Sequence, residues 1–180
     1  LITVTDVLSI EDISLIEKYC DIIQVGSRSM YNYPLLKALG KSKTPILLKR
    51  GMSATYKDWL YAAEYILSGG NHKIILCERG IRSFGKETRN VLDIVAVDYL
   101  KRKTHLPVFV DPSHATGKRE LVFSASMAAI ASGCDGLLIE ASYSPAQEIS
   151  DSRQTISLNT LKKIIYKGNK IASTFNRHLV

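Results

Sequence analysis

Six short runs of apolar, largely β-branched residues recur along the chain, at 2–7, 21–25, 45–49, 73–77, 107–110 and 136–140, with amphipathic segments between them. Their spacing of about 20 to 35 residues predicts βα units arranged around a parallel sheet. Within each run the hydrophobicity is continuous rather than alternating, which predicts strands covered on both faces and excludes a one-sided antiparallel sheet. Helices are predicted at 9–19, 31–39, 56–68, 91–101, 119–132 and from Leu158 onward. Ser9 stands as a cap before Glu11 and Asp12, which suit the positive end of a helix, and Gly69, Gly70 and Gly133 follow helices where a left-handed residue commonly ends them.

Six βα units fit either an open doubly wound sheet or most of an eight-stranded barrel. The polar residues decide between them. Nearly every predicted strand ends in charged or hydrogen-bonding groups: Thr5 and Asp6, Gln24 and then Gly26-Ser27-Arg28, Lys49 and Arg50, Glu78 and Arg79, Asp111 through His114, and Glu140. An open sheet concentrates ligand groups at one crevice, whereas a barrel gathers them from all its strands around one mouth. The expected fold class is therefore α/β, a (β/α)8 barrel, with residues 1–180 forming a single, partial domain.

Two groups at these strand ends carry candidate chemistry. Arg28, Lys49 and Arg79 follow consecutive strands, and cations so placed suit a ligand bearing both phosphate and carboxylate. His114 and Glu140 end the next two strands and Asp151 lies in the loop beyond. Imidazole and two carboxylates suit a divalent ion such as Mn, Fe, Zn or Co with a coordination position left for substrate. Taken alone, a His, Glu or Asp is usually a cap or a surface group, and a strand-end Arg or Lys more often an ordinary solvated loop residue.

Charge adds one constraint. Lys and Arg number 24 against 17 Asp and Glu, a net +7, but the charges are dispersed, with no basic tract and no basic-aromatic interleaving. Phosphorylated metabolites are the expected partners rather than nucleic acid. No stretch approaches the ~18 uninterrupted apolar residues of a membrane span, so a cytoplasmic protein without a membrane partner is expected. Cys20, Cys77 and Cys134 are odd in number and widely spaced, which predicts reduced, mostly buried thiols rather than a disulfide framework or metal knuckle. The chain opens at Leu1 almost directly in an apolar run, and it is expected to be part of a longer polypeptide.

The local sequences at the strand ends resemble a known family. Gly26-Ser27-Arg28, Leu48-Lys49-Arg50-Gly51, Cys77-Glu78-Arg79-Gly80-Ile81-Arg82, Asp111-Pro112-Ser113-His114, Ile139-Glu140 and Ser150-Asp151 occur in this order. Together they resemble the 3-deoxy-D-arabino-heptulosonate 7-phosphate (DAHP) synthases, in the branch related to 3-deoxy-D-manno-octulosonate 8-phosphate synthase. The resemblance runs from about Thr3 to Ser157.

The resemblance implies strands 3 to 8 of the barrel and a metal-dependent transferase of the shikimate pathway, in which phosphoenolpyruvate condenses with erythrose 4-phosphate in an aldol-type step. It implies substrate binding by Gly26, Ser27, Arg28, Lys49, Arg79 and Asp6, a catalytic part for Lys49, Arg79 and His114, and metal ligation by His114, Glu140 and Asp151. A homo-oligomer is expected. The family's Gly-Pro-Cys, source of a fourth metal ligand, and its Lys-Pro-Arg-Thr segment have no counterpart here. Ser27 stands where Ala is frequent, and Ser152 where Gly is usual. The octulosonate synthase reaction with arabinose 5-phosphate is one alternative, and a silent module that binds phosphorylated metabolites is another. The uninterrupted Asp-Pro-Ser-His-Ala-Thr-Gly-Lys-Arg at 111–119 favours the heptulosonate branch.

Overall fold

The computed structural model describes residues 1–178, and positions 179 and 180 lie outside the described residues. The chain divides into two compact units, 1–77 and 78–180.

The first unit repeats strand and helix: β1 (Val4–Asp6), α1 (Ile13–Tyr19), β2 (Ile22–Val25), α2 (Tyr33–Leu39), β3 (Ile46–Lys49), α3 (Tyr56–Leu67) and β4 (Ile74–Glu78), whose last residue belongs to the second unit. The strands pair in parallel in chain order, with Val4 opposite Ile22, Ile23 opposite Ile46, and Lys49 opposite Cys77. Every residue of β3 is buried, as its continuous hydrophobicity predicts. β1 departs from that expectation: Val4 and Asp6 are exposed, and β2 is its strand partner.

Helix α3 anchors on the sheet through Trp59, which is fully buried and donates from Nε1 to the Leu48 carbonyl at 3.2 Å. Gly40 and Gly69 let the ends of α2 and α3 meet, because a Cβ on Gly69 would stand 2.6 Å from the Gly40 backbone. Left-handed backbone occurs at Gly70 and Gly133, as predicted, but not at Gly69.

Two predicted helix starts shift. α1 begins at Ile13 rather than Ser9, because the Ser9 hydroxyl donates to the Asp12 carboxylate (3.0 Å) instead of capping a backbone amide. α2 begins at Tyr33, where Asn32 Oδ1 accepts from Leu35 N and Pro34 sits in the first turn.

The start of α3 is fixed by a capping box in which Thr55 and Asp58 exchange side-chain and backbone hydrogen bonds. Thr55→Ala is expected to lower stability by about 1 kcal/mol, read as a shift in the urea midpoint without a change in slope. The Thr55 hydrogen bonds hold the Asp58 carboxyl below its ordinary 3.8. Its contribution is therefore present above that value and lost as pH falls through the depressed one, so the gap between wild type and Thr55→Ala should narrow in strong acid to the part held by the cap on the Asp58 amide.

The second unit contains α4 (Val95–Lys103), β5 (Val108–Val110), α5 (Pro112–Thr116), α6 (Arg119–Ala131), β6 (Gly136–Leu137), β7 (Ala141–Ser142), β8 (Ile156–Ser157) and α7 (Leu158–Ser173). β5 pairs with β6, and β7 with β8, both in parallel. Val122, Ile156 and Ile164 form a buried cluster, with Phe123, Met127, Leu137 and Leu161 packed against it.

Three differences from the predicted elements bear on function. The run at 136–140 is not one strand: after β6 the Glu140 amide donates to Ser113 Oγ (3.1 Å), and the chain continues into β7. The Asp-Pro-Ser-His motif, expected as a strand end, opens the short helix α5. Residues 91–94 lie outside α4, since Val91 instead forms an antiparallel bridge with Ile81. No helix of the described residues is long and apolar enough to cross a membrane. The three cysteines are unpaired by disulfides, and burial pushes the Cys134 thiol up to about 11.

Candidate active site

The sequence Asp111-Pro112-Ser113-His114 builds most of the site by itself. Asp111 follows β5, fully buried, and caps α5, its Oδ1 accepting from the His114 amide at 2.9 Å. Its Oδ2 lies 2.8 Å from His114 Nδ1. A carboxylate there accepts a hydrogen bond from Nδ1–H, which leaves Nε2 as the ring nitrogen that faces away from Asp111. Pro112 occupies the first turn, where a missing amide proton costs nothing. Ser113, fully buried, holds the backbone of Glu140.

His114 Nε2 therefore faces two carboxylates. It lies 3.2 Å from Glu140 Oε1 and 3.9 Å from Asp151 Oδ2, and one ligand atom from each residue falls within 4.8 Å of the others. The three side chains are 21%, 29% and 33% exposed, which leaves the cluster open to a small ligand. Glu140 Oε2 is buried and has no hydrogen-bond partner. Desolvation pushes the Glu140 carboxyl above its ordinary value, His114 opposes that shift, and the Asp151 and Asp111 carboxylates add to it. The donor set of one imidazole and two carboxylates facing one another suits a divalent metal. The residues thus fit the ion that the sequence led us to expect.

The anion-binding candidates are distributed over both units. Arg28 lies in a 3-10 turn, Ser27–Ser29, after β2 and is exposed. Gly26 caps that turn, and the Ser27 hydroxyl is buried without a hydrogen-bond partner. Asp6, at the end of β1, is exposed and accepts from Gln24 Nε2 at 2.8 Å. Lys49 ends β3 and is buried, next to Arg50, whose Nε donates to the Ala54 carbonyl and whose guanidinium lies 4.6 Å from the centre of the Tyr56 ring. Arg79, in the second unit, is also buried, and Glu78 before it accepts from the Gly80 amide at 2.6 Å.

Sequence reasoning missed the parts played by Asp111 and Ser113, although an Asp followed by Pro at the first helical position is a readable N-cap signal. It also missed Arg89 and Asn90. Arg89 Nη1 donates to Asp151 Oδ1 at 3.0 Å, and Asn90 Nδ2 donates to the His114 carbonyl at 3.2 Å. Neither has a sequence signal, because both bonds join residues far apart in the chain.

Known proteins resemble this chain over most of its length. The phospho-2-dehydro-3-deoxyheptonate aldolase of Thermotoga maritima is 45% identical over 169 residues, covering 94% of this chain and 50% of that protein. A 2-dehydro-3-deoxyphosphooctonate aldolase of Pelobacter propionicus is 31% identical, covering 92% of this chain and 64% of that protein. The crystal structure of the Thermotoga maritima DAHP synthase matches all of this chain and 53% of its own, with TM-score 0.98 and 42% identity. A truncated form of the Thermotoga maritima enzyme matches with the same TM-score over 69% of its length. The chain thus spans about half the length of the Thermotoga relative, and its fold class is the predicted one, part of a (β/α)8 barrel. With the DAHP synthetase I profile matching residues 1–176, the chain belongs to the DAHP synthetase I family.

Proposed function

We propose that this chain forms part of the catalytic barrel of a DAHP synthase. C3 of phosphoenolpyruvate bonds to the aldehyde carbon of erythrose 4-phosphate, water adds at C2, and inorganic phosphate leaves as the heptulosonate 7-phosphate forms. The observation that carries this reading is the cluster of His114, Glu140 and Asp151, with its lone pair and carboxylates turned inward. A divalent ion held there, whether Mn, Fe, Zn or Co, supplies Lewis acidity at the acceptor's aldehyde oxygen.

The chain's own side chains do the rest. Arg28, Lys49 and Arg79 hold the phosphate and carboxylate of phosphoenolpyruvate, with Gly26 and Ser27 at the phosphate. Burial of Lys49 and Arg79 supports that assignment, because a desolvated cation binds an anion more strongly than an exposed one. Lys49 is also the residue assigned to pass a proton. Asp6, fixed by Gln24, positions the water that adds at C2. Asp111 keeps the His114 proton on Nδ1 and so keeps Nε2 a ligand atom. Residues 1–180 serve one catalytic domain, placed in the cytoplasm and assembled as a homo-oligomer. The free cysteines support the compartment.

The octulosonate reaction, with arabinose 5-phosphate as acceptor, is the competing reading, and the Pelobacter propionicus relative supports it. The greater identity to the Thermotoga maritima protein favours the heptulosonate reaction. Phosphate release from phosphoenolpyruvate, measured on the purified protein with Mn(II) and each sugar in turn, separates the two. Release with erythrose 4-phosphate and its loss on adding a chelator are expected. Release confined to arabinose 5-phosphate would replace the proposal with the competing one, and release with neither would leave family membership standing and favour a silent module that binds phosphorylated metabolites.

A further inference from the structure

Arg89 lies outside the motifs that resemble the family, yet its side chain reaches a proposed metal ligand across 62 residues of sequence. We propose that Arg89 is a positioning residue that orients the Asp151 carboxylate toward the metal site, an inference that rests on reading His114, Glu140 and Asp151 as ligands.

The backbone that carries Asp151 is already held. Arg119 donates from Nε to the Thr155 carbonyl and from Nη2 to the Ser152 carbonyl, both at 2.6 Å, and its amide donates to the Arg153 carbonyl at 2.8 Å. The Asp151 carbonyl accepts from the amides of Gln154 and Thr155 and from the Thr155 hydroxyl. Asp151 itself sits at φ 54, in left-handed backbone that aspartate tolerates better than most residues. This segment fixes where the side chain starts and leaves its two oxygens to be distinguished.

Arg89 makes that distinction together with Gln154. Both donate to Oδ1, Arg89 at 3.0 Å and Gln154 Nε2 at 2.7 Å, while Oδ2 is turned toward His114 Nε2. One oxygen is therefore committed to donors and the other is presented to the cluster. The arginine adds a positive charge behind a carboxylate that faces a second carboxylate, Glu140.

The backbone of Arg89 is registered against the helix that carries the histidine. Its amide donates to the Thr116 carbonyl at 3.0 Å, and the Asn90 amide to the Ala115 carbonyl at 2.8 Å. Asn90 continues the contact through its side chain to the His114 carbonyl. The approach is close because residue 117 is glycine: a Cβ there, at φ 62, would stand 2.6 Å from Arg89 Cβ. One strip of chain, 89–90, thus touches the elements that carry two of the three proposed ligands. The ion pair itself is half-exposed and is expected to add little to folding stability, so an effect concentrated on metal affinity would separate positioning from ordinary surface pairing.

The test is Mn(II) binding to the purified protein, followed by the free-ion electron paramagnetic resonance signal, for wild type, Arg89→Gln, Arg89→Lys and His114→Ala. Thermal melting without metal is recorded for each. Arg89→Gln is expected to weaken Mn(II) binding by about 10 to 100-fold with the melting temperature unchanged, and Arg89→Lys to recover part of the loss. Binding by Arg89→Gln as tight as wild type, or tighter, overturns the proposal while His114→Ala abolishes binding. Wild-type binding by His114→Ala instead overturns the ligand reading on which the proposal rests, so the two failures are distinct.

Discussion

His114→Ala is expected to lose Mn(II) affinity by more than about 100-fold and, with it, phosphate release from phosphoenolpyruvate, because an outer partner of a metal ligand alone is worth 10 to 100-fold. The size follows from the geometry. His114 Nε2 is the atom that both Glu140 and Asp151 face, and its removal leaves two partly buried carboxylates, of which Glu140 is already raised by desolvation, with the charge of Asp151 adding to it. Protein without metal should not suffer in proportion, since the Asp111 cap uses the His114 amide, which alanine retains.

Asp111→Asn sharpens the same prediction. An asparagine oxygen can still cap α5, but its amide nitrogen facing Nδ1 would move the imidazole proton to Nε2, into the cluster. Affinity should fall by about 10 to 100-fold with the helix cap intact. Isothermal titration with Mn(II), paired with near-UV circular dichroism to confirm the fold, reads both variants. Unaltered affinity in His114→Ala would show that the metal reading of this cluster is wrong, and in Asp111→Asn that Asp111 does not set the tautomer of His114.

What could be read from the sequence alone divides along a physical line. The strands of the first unit and the face-to-face burial of β3 were legible, because a parallel strand is apolar in every position and local composition reports that directly. His114 and Glu140 were legible as candidate ligands, although His114 lies in α5 and Glu140 between β6 and β7 rather than at strand ends, and the motif around His114 was specific enough to resemble one family. The capping of α5 was written in Asp111-Pro112 and was overlooked in favour of a strand-end reading. The division of 136–140 was not legible at all: it depends on Ser113 Oγ taking the Glu140 amide, a bond between residues 27 positions apart. Arg89 and Asn90 escaped for the same reason, since a hydrogen bond over long sequence separation leaves no periodicity to detect. Exposure of β1 also defied the pattern, because an apolar run shows that a residue prefers burial and not whether a neighbour supplies it.

Gly80→Ala is the other substitution expected to have a large effect, and it tests whether the turn after Glu78 is as constrained as it looks. Gly80 sits at φ 89, which an L side chain rarely adopts, and a Cβ there would lie 2.7 Å from Asn90 Cβ and 3.1 Å from both Cα and Cβ of Ala115. The neighbours are not free to yield. The Gly80 amide is tied to buried Glu78, Ile81 is bridged to Val91, and Asn90 is bonded to the backbone of Ala115 and His114. Backbone strain of ~1–3 kcal/mol and a steric term of similar size should together destabilise the protein by about 3 kcal/mol or more. Gly70→Ala provides the comparison, because Gly70 is at φ 103 with nothing within 4 Å of its would-be Cβ and so incurs the backbone term alone. Urea denaturation of both variants measures the difference between them, which is the steric contribution. A Gly80→Ala loss no greater than that of Gly70→Ala would mean that residues 89–91 can move away from α5 at little cost, and the positioning assigned to Arg89 would then have no rigid support.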